Sequence, residues 1–582
     1  MTASTNWLDF TPETLKSAET EDRLVLMVIT VPWCRHCKEL LTVSFEDPKV
    51  KAQIGAHFVP VLVDAERRPD VNGRYGTGGW PSIAWLTPKG DLIANDQFLT
   101  AERLAARLER IHAYWRDERA SIEQGISRLW TAQDERGTET RGKLSRQIVE
   151  DVVEAIYGRF DHRYGGWGDG AKFPHPDAID FAMVQVAKRG DERMSEVVTV
   201  TLDRMMESPI HDRVGGGFFR FSKTPDWRSP NHEKLLDVNA KMMRAYLEAY
   251  QLQGKEAYRR TAEGIASWML GQMLDPVSGA FFGSQDADSD YYNLDASERA
   301  RREPPARDRT IYTNSNALAV SNLLKGAAVL GKPEWRDHAM RALTFLRENL
   351  FDDREVYHYW DGTYHLPGML SDQAYLMRAL IDASQHTGDS DLLLPAESIA
   401  ERAIERQQAP GGGFYDILHD PRSSGSMRRR NRSILENAVI AEALVRLSYL
   451  SRRPEFYDQA IRTLEAFAND YKEYGYYLAG FGRTVDLIFY EPLFLTIVGD
   501  RDSSEAEALR RAALSTYVPS RIVQMLDPAH DPILIGRSGY AEEDRPVVYI
   551  TVGKSTRSMV HTPEELKAAV EEIEWQRRSK LR

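Results

Sequence analysis

The sequence predicts a multidomain chain of α/β plus α class, with a compact α/β unit first, a long helical array next and a small α/β tail last. Three observations carry this. The apolar runs Leu24–Val31, Phe58–Asp64 and Ile83–Leu86, separated by turn-rich stretches, read as buried strands of one sheet. From about 147 to 484, amphipathic helical stretches alternate with glycine-aromatic breaks and no convincing strand pattern appears. After about Val485, short β-branched runs return. The expected boundaries are 1–115 for the first unit, 116–146 for a charged helical connector, 147–484 for the array and 485–582 for the tail.

Trp33-Cys34-Arg35-His36-Cys37-Lys38 contains the only two cysteines of the 582 residues. A strand that ends in a loop before a helical pattern puts Cys34 at a helix N-terminus. There the free N–H groups and the dipole favour a thiolate, and Arg35, His36 and Lys38 add positive charge. Cys34 is therefore the candidate nucleophile and Cys37 the candidate resolving thiol. The alternatives are half of a zinc site or two inert thiols; zinc needs two more ligands and no second cysteine pair exists. WCxxC, a strand ending in Val63-Asp64, the loop Tyr75-Gly76-Thr77-Gly78-Gly79-Trp80-Pro81 and a final helix near Ala101–Trp115 together resemble thioredoxin. That resemblance implies a thioredoxin-like fold in which Trp80–Pro81 is cis and Pro81 packs against the dithiol. Thioredoxins carry a buried aspartate five residues before the motif's tryptophan. Here that position is Val28, so proton transfer from Cys37 needs another base. His36, just before the second cysteine, is similar to disulfide isomerases.

The formal net charge of −12 gives no general electrostatic case for nucleic acid binding, and Arg428-Arg429-Arg430-Asn431-Arg432 reads as a solvated loop. No apolar run approaches a membrane span, and Met1–Phe10 lacks a charged start followed by an apolar core. The expectation is a cytoplasmic chain in a reducing compartment, with no membrane or nucleic acid partner, no cofactor and no metal.

Helical stretches are expected at Ile148–Phe160, Ala178–Lys188, Glu233–Gln253, Tyr258–Met273, Ala317–Leu330, Trp335–Leu350, Asp372–Thr387, Leu392–Arg406, Leu435–Leu450 and Glu455–Tyr471. The breaks fall at Tyr164-Gly165-Gly166-Trp167, Gly215-Gly216-Gly217-Phe218-Phe219, Gly279-Ala280-Phe281-Phe282, Val356–Trp360, Gly411–Tyr415 and Gly475-Tyr476-Tyr477. Six breaks of one kind, each preceded by helical sequence, point to six helix pairs, and their natural closure is an (α/α)6 toroid. An open solenoid or an irregular bundle is the alternative. Aromatics beside tight glycine turns suit the wall of a sugar-binding cavity, which makes Trp167, Phe218 and Trp227 candidate ligand-binding residues.

Three polar constellations interrupt the array. They are Asp161 to Pro176, Pro209 to Ala240, and Ser284-Gln285-Asp286-Ala287-Asp288-Ser289. Glu233 and Asp237, read as one helical turn apart on a common face, form with His232 a candidate acid–base set on a sugar. Their structural alternative is to hold Lys234, Arg213 or loop amides. Asp212, Asp286, Asp288 and Asp372 are further candidate ligand-binding residues. A calcium reading of Asp286 and Asp288 lacks an EF-hand spacing.

A second, more specific resemblance rests on Ser44-Phe45-Glu46-Asp47, Val63-Asp64-x-Glu66-Arg67-Arg68-Pro69-Asp70, Gly78-Gly79-Trp80-Pro81, Lys172-Phe173-Pro174-His175-Pro176, Val214–Phe218, His232-Glu233-Lys234-Leu235, Asp237-x-Asn239-Ala240 and Asp286-Ala287-Asp288-Ser289. Over residues 20–390 these resemble the spermatogenesis-associated, YyaL-like thioredoxin-domain family. The resemblance implies a thioredoxin-like domain joined to a six-hairpin glycosidase-like toroid, similar to N-acylglucosamine and cellobiose epimerases, with no assigned activity. The chain departs from that pattern in Arg35-His36 between the cysteines, in the charged loop after Asp290, and in Gly553-Lys554-Ser555-Thr556 where the family has cysteines. Three functions are open on the sequence. The first is a thiol–disulfide oxidoreductase whose toroid binds a protein thiol client or a carbohydrate-like ligand. The second is a glycoside hydrolase or sugar epimerase with a structural or regulatory thioredoxin domain. The third is a non-catalytic binding scaffold.

Overall fold

A computed structural model describes residues 5–135, 141–541, 543–553 and 555–581; positions 136–140 of the expected connector and Lys554 lie outside the described residues. The chain divides into two compact units, one made of the N-terminal 140 residues with Tyr415–Arg432, the other of the remainder.

In the first unit, β1 (Leu24–Thr30) is buried at every position, as its unbroken apolar run requires of a central strand. It pairs in parallel with β2 (Phe58–Asp64) and antiparallel with β3 (Ser82–Leu86), which pairs with β4 (Leu92–Asp96), for the order β2-β1-β3-β4. This is the thioredoxin-like arrangement. The helix begun at Ala101 does not stop near Trp115. It runs to Glu135, bending at Glu118, so much of the expected connector is its continuation. Residues 415–432 pack in this unit. Arg74 forks onto Asp416 at 3.1 Å, and Arg428 lies over the Trp130 ring at 4.2 Å. The basic cluster is thus partly tied down rather than simply solvated.

The second unit is built on twelve helices that alternate between an outer and an inner ring. They are α1 (Arg146–Tyr157), α2 (Pro176–Arg189), α3 (Glu192–Glu207), α4 (Leu236–Gln253), α5 (Glu256–Trp268), α6 (Thr313–Leu330), α7 (Pro333–Asn349), α8 (Leu370–Thr387), α9 (Leu393–Gln407), α10 (Ile434–Ser451), α11 (Pro454–Glu465) and α12 (Ala479–Phe489). The even-numbered helices pack each on the next, α2 to α4 and onward to α12, and α12 packs back on α2. That contact closes the ring and defines an (α/α)6 toroid. The odd-numbered helices pack outside it. Leu487–Tyr490, expected in the tail, instead completes α12 or caps it, and α3 supplies the helix before the second glycine-aromatic break.

All six glycine-aromatic breaks connect an outer helix to the next inner one, so all lie at the N-terminal end of the inner ring. At the other end the turns are short, because five inner helices stop at a left-handed residue: Gly190, Gly254, Gly331, Gly388 and Arg452.

The tail is a sheet of β5 (Leu493–Val498), β6 (Arg521–Leu526), β7 (Val547–Val552) and β8 (Ser555–Val560), in the order β6-β5-β7-β8 with β5 and β6 parallel. With α13 (Ser504–Ser515) between β5 and β6 and α14 (Pro563–Leu581) at the end, it repeats the connectivity of the N-terminal sheet.

Candidate functional site

The dithiol is positioned by β1. Its buried strand delivers Trp33 and Cys34 to the start of the helix Arg35–Glu39, and Cys34 is the residue that caps it. Cys34 Sγ accepts the Cys37 backbone N–H at 3.2 Å and lies 3.7 Å from the carbonyl oxygen of Trp80. The Trp80–Pro81 bond is cis, and the Trp33 and Trp80 rings meet edge to face at 5.5 Å. Arg35, His36 and Lys38 are exposed, whereas Cys34 is only 9% and Cys37 2% accessible. No disulfide joins the two thiols. Contact with the Cys34 sulfur, then burial, pushes the Cys37 thiol far above its ordinary value, and the carboxylate of Asp64 adds to the effect. Cys37 is thereby the sulfur that keeps its proton. Val28 is fully buried, and Asp64, paired in register with Thr30 at the end of β2, is the carboxylate whose field reaches the resolving thiol.

The toroid residues singled out from the sequence do not converge on one cavity. Glu233 is not on a helix, since Lys234–Leu235 is extended and pairs with Ser284–Gln285, and α4 starts only at Leu236. The common face with Asp237 is therefore absent. Glu233 is buried and takes hydrogen bonds from Arg220 at 3.2 Å and Asn231 at 2.9 Å. His232 contacts Ser289 at 3.0 Å and stacks on Tyr292. Asp237 stays half-buried in the first turn of α4. Asp212 is closed in a buried cluster with Lys234 at 2.6 Å and Arg299 at 2.8 Å. Lys234 also donates to the carbonyl of Gly216, as Lys172 does to that of Gly165 while pairing with Asp161. Both lysines clamp a glycine-aromatic loop.

Trp167, Phe218 and Trp227 are core residues, buried to within 1% and not cavity walls. Flat rings beside glycine suit a sugar platform, but here all three belong to the buried core of the helical unit. Asp288 caps the short helix Ser289–Tyr292, and Asp286 is half-buried beside it. Asp372 is buried, takes a 2.8 Å hydrogen bond from His358 and accepts the Asn314 N–H that opens α6. Among the described residues, no group of three or more His, Cys, Asp or Glu side chains is placed to hold a metal.

Two features were missed. Asn239, Asn316 and Asn437 each clamp a loop, accepting the N–H and donating to the C=O of Phe218, Phe281 and Phe414 respectively. The signal was the dipeptide Asn-Ala recurring early in three inner helices. The second is the toroid axis. Polar residues at helical spacing, such as Lys241, Arg244 and Glu248 on α4 or Arg378, Asp382 and His386 on α8, form stripes on otherwise apolar helices and point into two adjoining cavities. One cavity, of about 180 Å³, lies among the first turns of the inner helices. The other, of about 100 Å³, lies among their later turns and is also lined by Thr516–Ile522, the connection from α13 and the start of β6. Burial pushes the Asp180 carboxyl up to about 7, with Arg244 opposing and Glu248 reinforcing.

Fold and sites thus define a thioredoxin-like dithiol unit carried in one chain with an (α/α)6 toroid. The family described as "Protein of unknown function, DUF255" (Thioredox_DsbH) matches residues 1–133. Spermatogenesis-associated protein 20 of Homo sapiens is 22% identical over 97% of this chain and 89% of its own length. Protein disulfide isomerase-like 2-1 of Oryza sativa subsp. japonica is 35% identical over 15% of this chain and 23% of its own. The cellobiose 2-epimerase of Spirochaeta thermophila superposes with a TM-score of 0.47 at 15% identity, covering 59% of this chain and 98% of that one. The chain is thus similar over nearly its whole length to the spermatogenesis-associated, thioredoxin-domain proteins.

Proposed function

We propose that the protein is a cytoplasmic thiol–disulfide oxidoreductase acting on protein disulfide clients, with Cys34 as nucleophile. One observation carries this: the Sγ of the helix-capping Cys34 accepts the Cys37 amide N–H at 3.2 Å, with the Cys37 thiol buried beside it. In the reductive direction, the Cys34 thiolate attacks a client disulfide, forming a mixed disulfide and releasing one client thiolate. Cys37 then loses its proton and attacks Cys34 Sγ, which frees the second client thiol. The client gains two electrons and two protons, and the Cys34–Cys37 disulfide holds the oxidising equivalent. Asp64 serves as proton acceptor for Cys37 in place of the aspartate that Val28 replaces. Equilibration in glutathione buffers followed by thiol alkylation tests the reading. A reversible intramolecular disulfide between about −120 and −270 mV, the span of thioredoxin-fold oxidoreductases, is expected. Absence of such a disulfide under any glutathione ratio refutes it.

A further inference from the structure

The inner chamber of the toroid has an unusual charge balance. Six cations line it, Arg244, Lys325, Arg378, Arg446, Arg483 and Arg521, against four acids, Asp180, Glu248, Asp382 and Glu442. The acids are engaged. Glu248 holds Arg244 at 3.0 Å and Lys325 at 2.6 Å, Asp382 pairs with Arg446, Glu442 stands 3.8 Å from Arg378, and Asp180 lies 3.6 Å from Arg483. Two positive charges remain in surplus, and buried charge without compensation is costly. His386 does not add a third, because burial depresses its basicity to about 3.

Three residues that line this space also carry a buried polar atom without a hydrogen-bond partner: Arg378 Nε, Tyr517 Oη and Ser520 Oγ. Tyr517 and Ser520 come from the loop that joins α13 to β6, and Arg521 opens β6. Arg483 holds that loop through the carbonyl of Pro519, and Arg521 holds it through that of Thr516. The loop therefore floors the chamber with donors. The outer cavity differs in character. Leu318, Tyr375, Leu435 and Val439 give it apolar walls, while Lys241 at its rim is neutralised by Asp177 at 3.0 Å. The two cavities share Asp180, Arg244, Arg378 and Arg483 and so adjoin along the axis.

Size completes the argument. A water needs roughly 10–15 Å³ of such volume, so the chamber of about 100 Å³ admits a group larger than one water, and the outer cavity of about 180 Å³ admits a ring. Guanidinium forks match planar or tetrahedral oxyanions. We propose that the toroid binds a sugar-sized small molecule bearing one compact oxyanion, a phosphate or a carboxylate, with the oxyanion in the inner chamber against Arg378 and Arg521 and the ring in the outer cavity. This stands apart from the thiol reading, because it requires neither cysteine.

The test is calorimetric titration of the full-length protein at constant ionic strength with glucose 6-phosphate, glucuronate, inorganic phosphate and glucose. Saturable binding of glucose 6-phosphate or glucuronate is expected, and whichever arm binds identifies the oxyanion. Inorganic phosphate is expected to compete, and glucose is expected not to bind. Arg378→Gln and Arg521→Gln should each weaken binding about tenfold or more, as loss of a charge-assisted contact does. If either variant fails to fold, broadening of the phosphorus NMR line of glucose 6-phosphate by the wild-type protein, reversed by inorganic phosphate, gives the same answer. Absence of saturable binding by both anionic sugars overturns the proposal, as does glucose binding equally well or both variants binding like wild type. The Cys34→Ser variant should bind unchanged, so a failure here is separable from a failure of the redox titration.

Discussion

Asn316→Ala is the most informative single change in the toroid. Asn316 is fully buried at the start of α6. Its Oδ1 accepts the Phe281 N–H at 2.7 Å, and its Nδ2 donates to the carbonyls of Phe281 and Tyr312, both at 2.9 Å. Alanine removes three hydrogen bonds at once. At about 1 kcal/mol net each, the loss is about 3 kcal/mol, and a buried amide or carbonyl left unpaired adds about 1–3 kcal/mol more. Water entering the vacated space would recover part of the second term, so about 3–5 kcal/mol is expected. Urea unfolding followed by circular dichroism reads it as a lower midpoint at unchanged slope. Asn239→Ala and Asn437→Ala remove equivalent bonds to Phe218 and Phe414 and should cost similar amounts. A loss below about 1 kcal/mol at all three sites would show that the clamps do not hold the loops.

Gly216→Ala should be more damaging than an ordinary loop substitution. Its φ is +77°, and an added Cβ would sit 2.1 Å from the Gly264 carbonyl oxygen on α5, so a loss of about 3 kcal/mol or more in thermal unfolding is expected, and tolerance would contradict the close approach. In the reduced protein, iodoacetamide should label Cys34 well before Cys37, and Cys34→Ser should lower the Cys37 thiol pKa by removing its largest cause, read as thiolate absorbance against pH; equal labelling of both would refute the assignment. Lys188 supplies a pH test. Burial pushes its ammonium down to about 7 against the pull of Asp486, so the unfolded chain binds more protons than the folded one between about 7 and 10.5. This group's contribution to stability therefore rises with pH across that window, and Lys188→Met should flatten the rise in urea midpoints measured from pH 7 to 10.

Three strands and the dithiol of the N-terminal unit were legible because their signals are local: a seven-residue apolar run bounded by turn residues suits a central strand, and a CxxC after it suits the start of the next helix. β4 and the extension of the last helix to Glu135 gave no such signal. The toroid was legible as a count of loops but not as a site, for two physical reasons. Glycine-aromatic turns serve packing and ligand walls alike, and burial of Trp167 and Phe218 decides for packing only once the outer helices are placed. Glu233 looked helical because Glu, Lys and Leu favour helices, yet the bridge from Lys234–Leu235 to Ser284–Gln285, far away in sequence, holds it extended. The axial charges escaped notice because ion pairs such as Lys325 with Glu248 join different helices, while each stripe alone reads as a solvated face.

The repeated sheet connectivity separates what the thioredoxin-like arrangement supplies from what cysteine supplies. In the N-terminal unit the residue capping the helix after the first strand is Cys34, with Cys37 three residues on. In the tail the corresponding cap is Ser503, whose hydroxyl accepts the N–H of Ala506, so the same backbone geometry is present with no thiol to use it. What the tail contributes instead follows from the next connection, since the α13–β6 loop and the first residues of β6, Arg521 among them, line the cavity at the toroid axis. Arg521 is half-buried, and burial lowers its basicity to about 10 while Glu248 and Asp382 oppose that. A guanidinium held at such a cost in a chamber already rich in cations has little to contribute to stability by itself. Its placement makes physical sense when an anion completes the balance, which ties this part of the tail to the oxyanion-binding proposal and to the Arg521→Gln test of it.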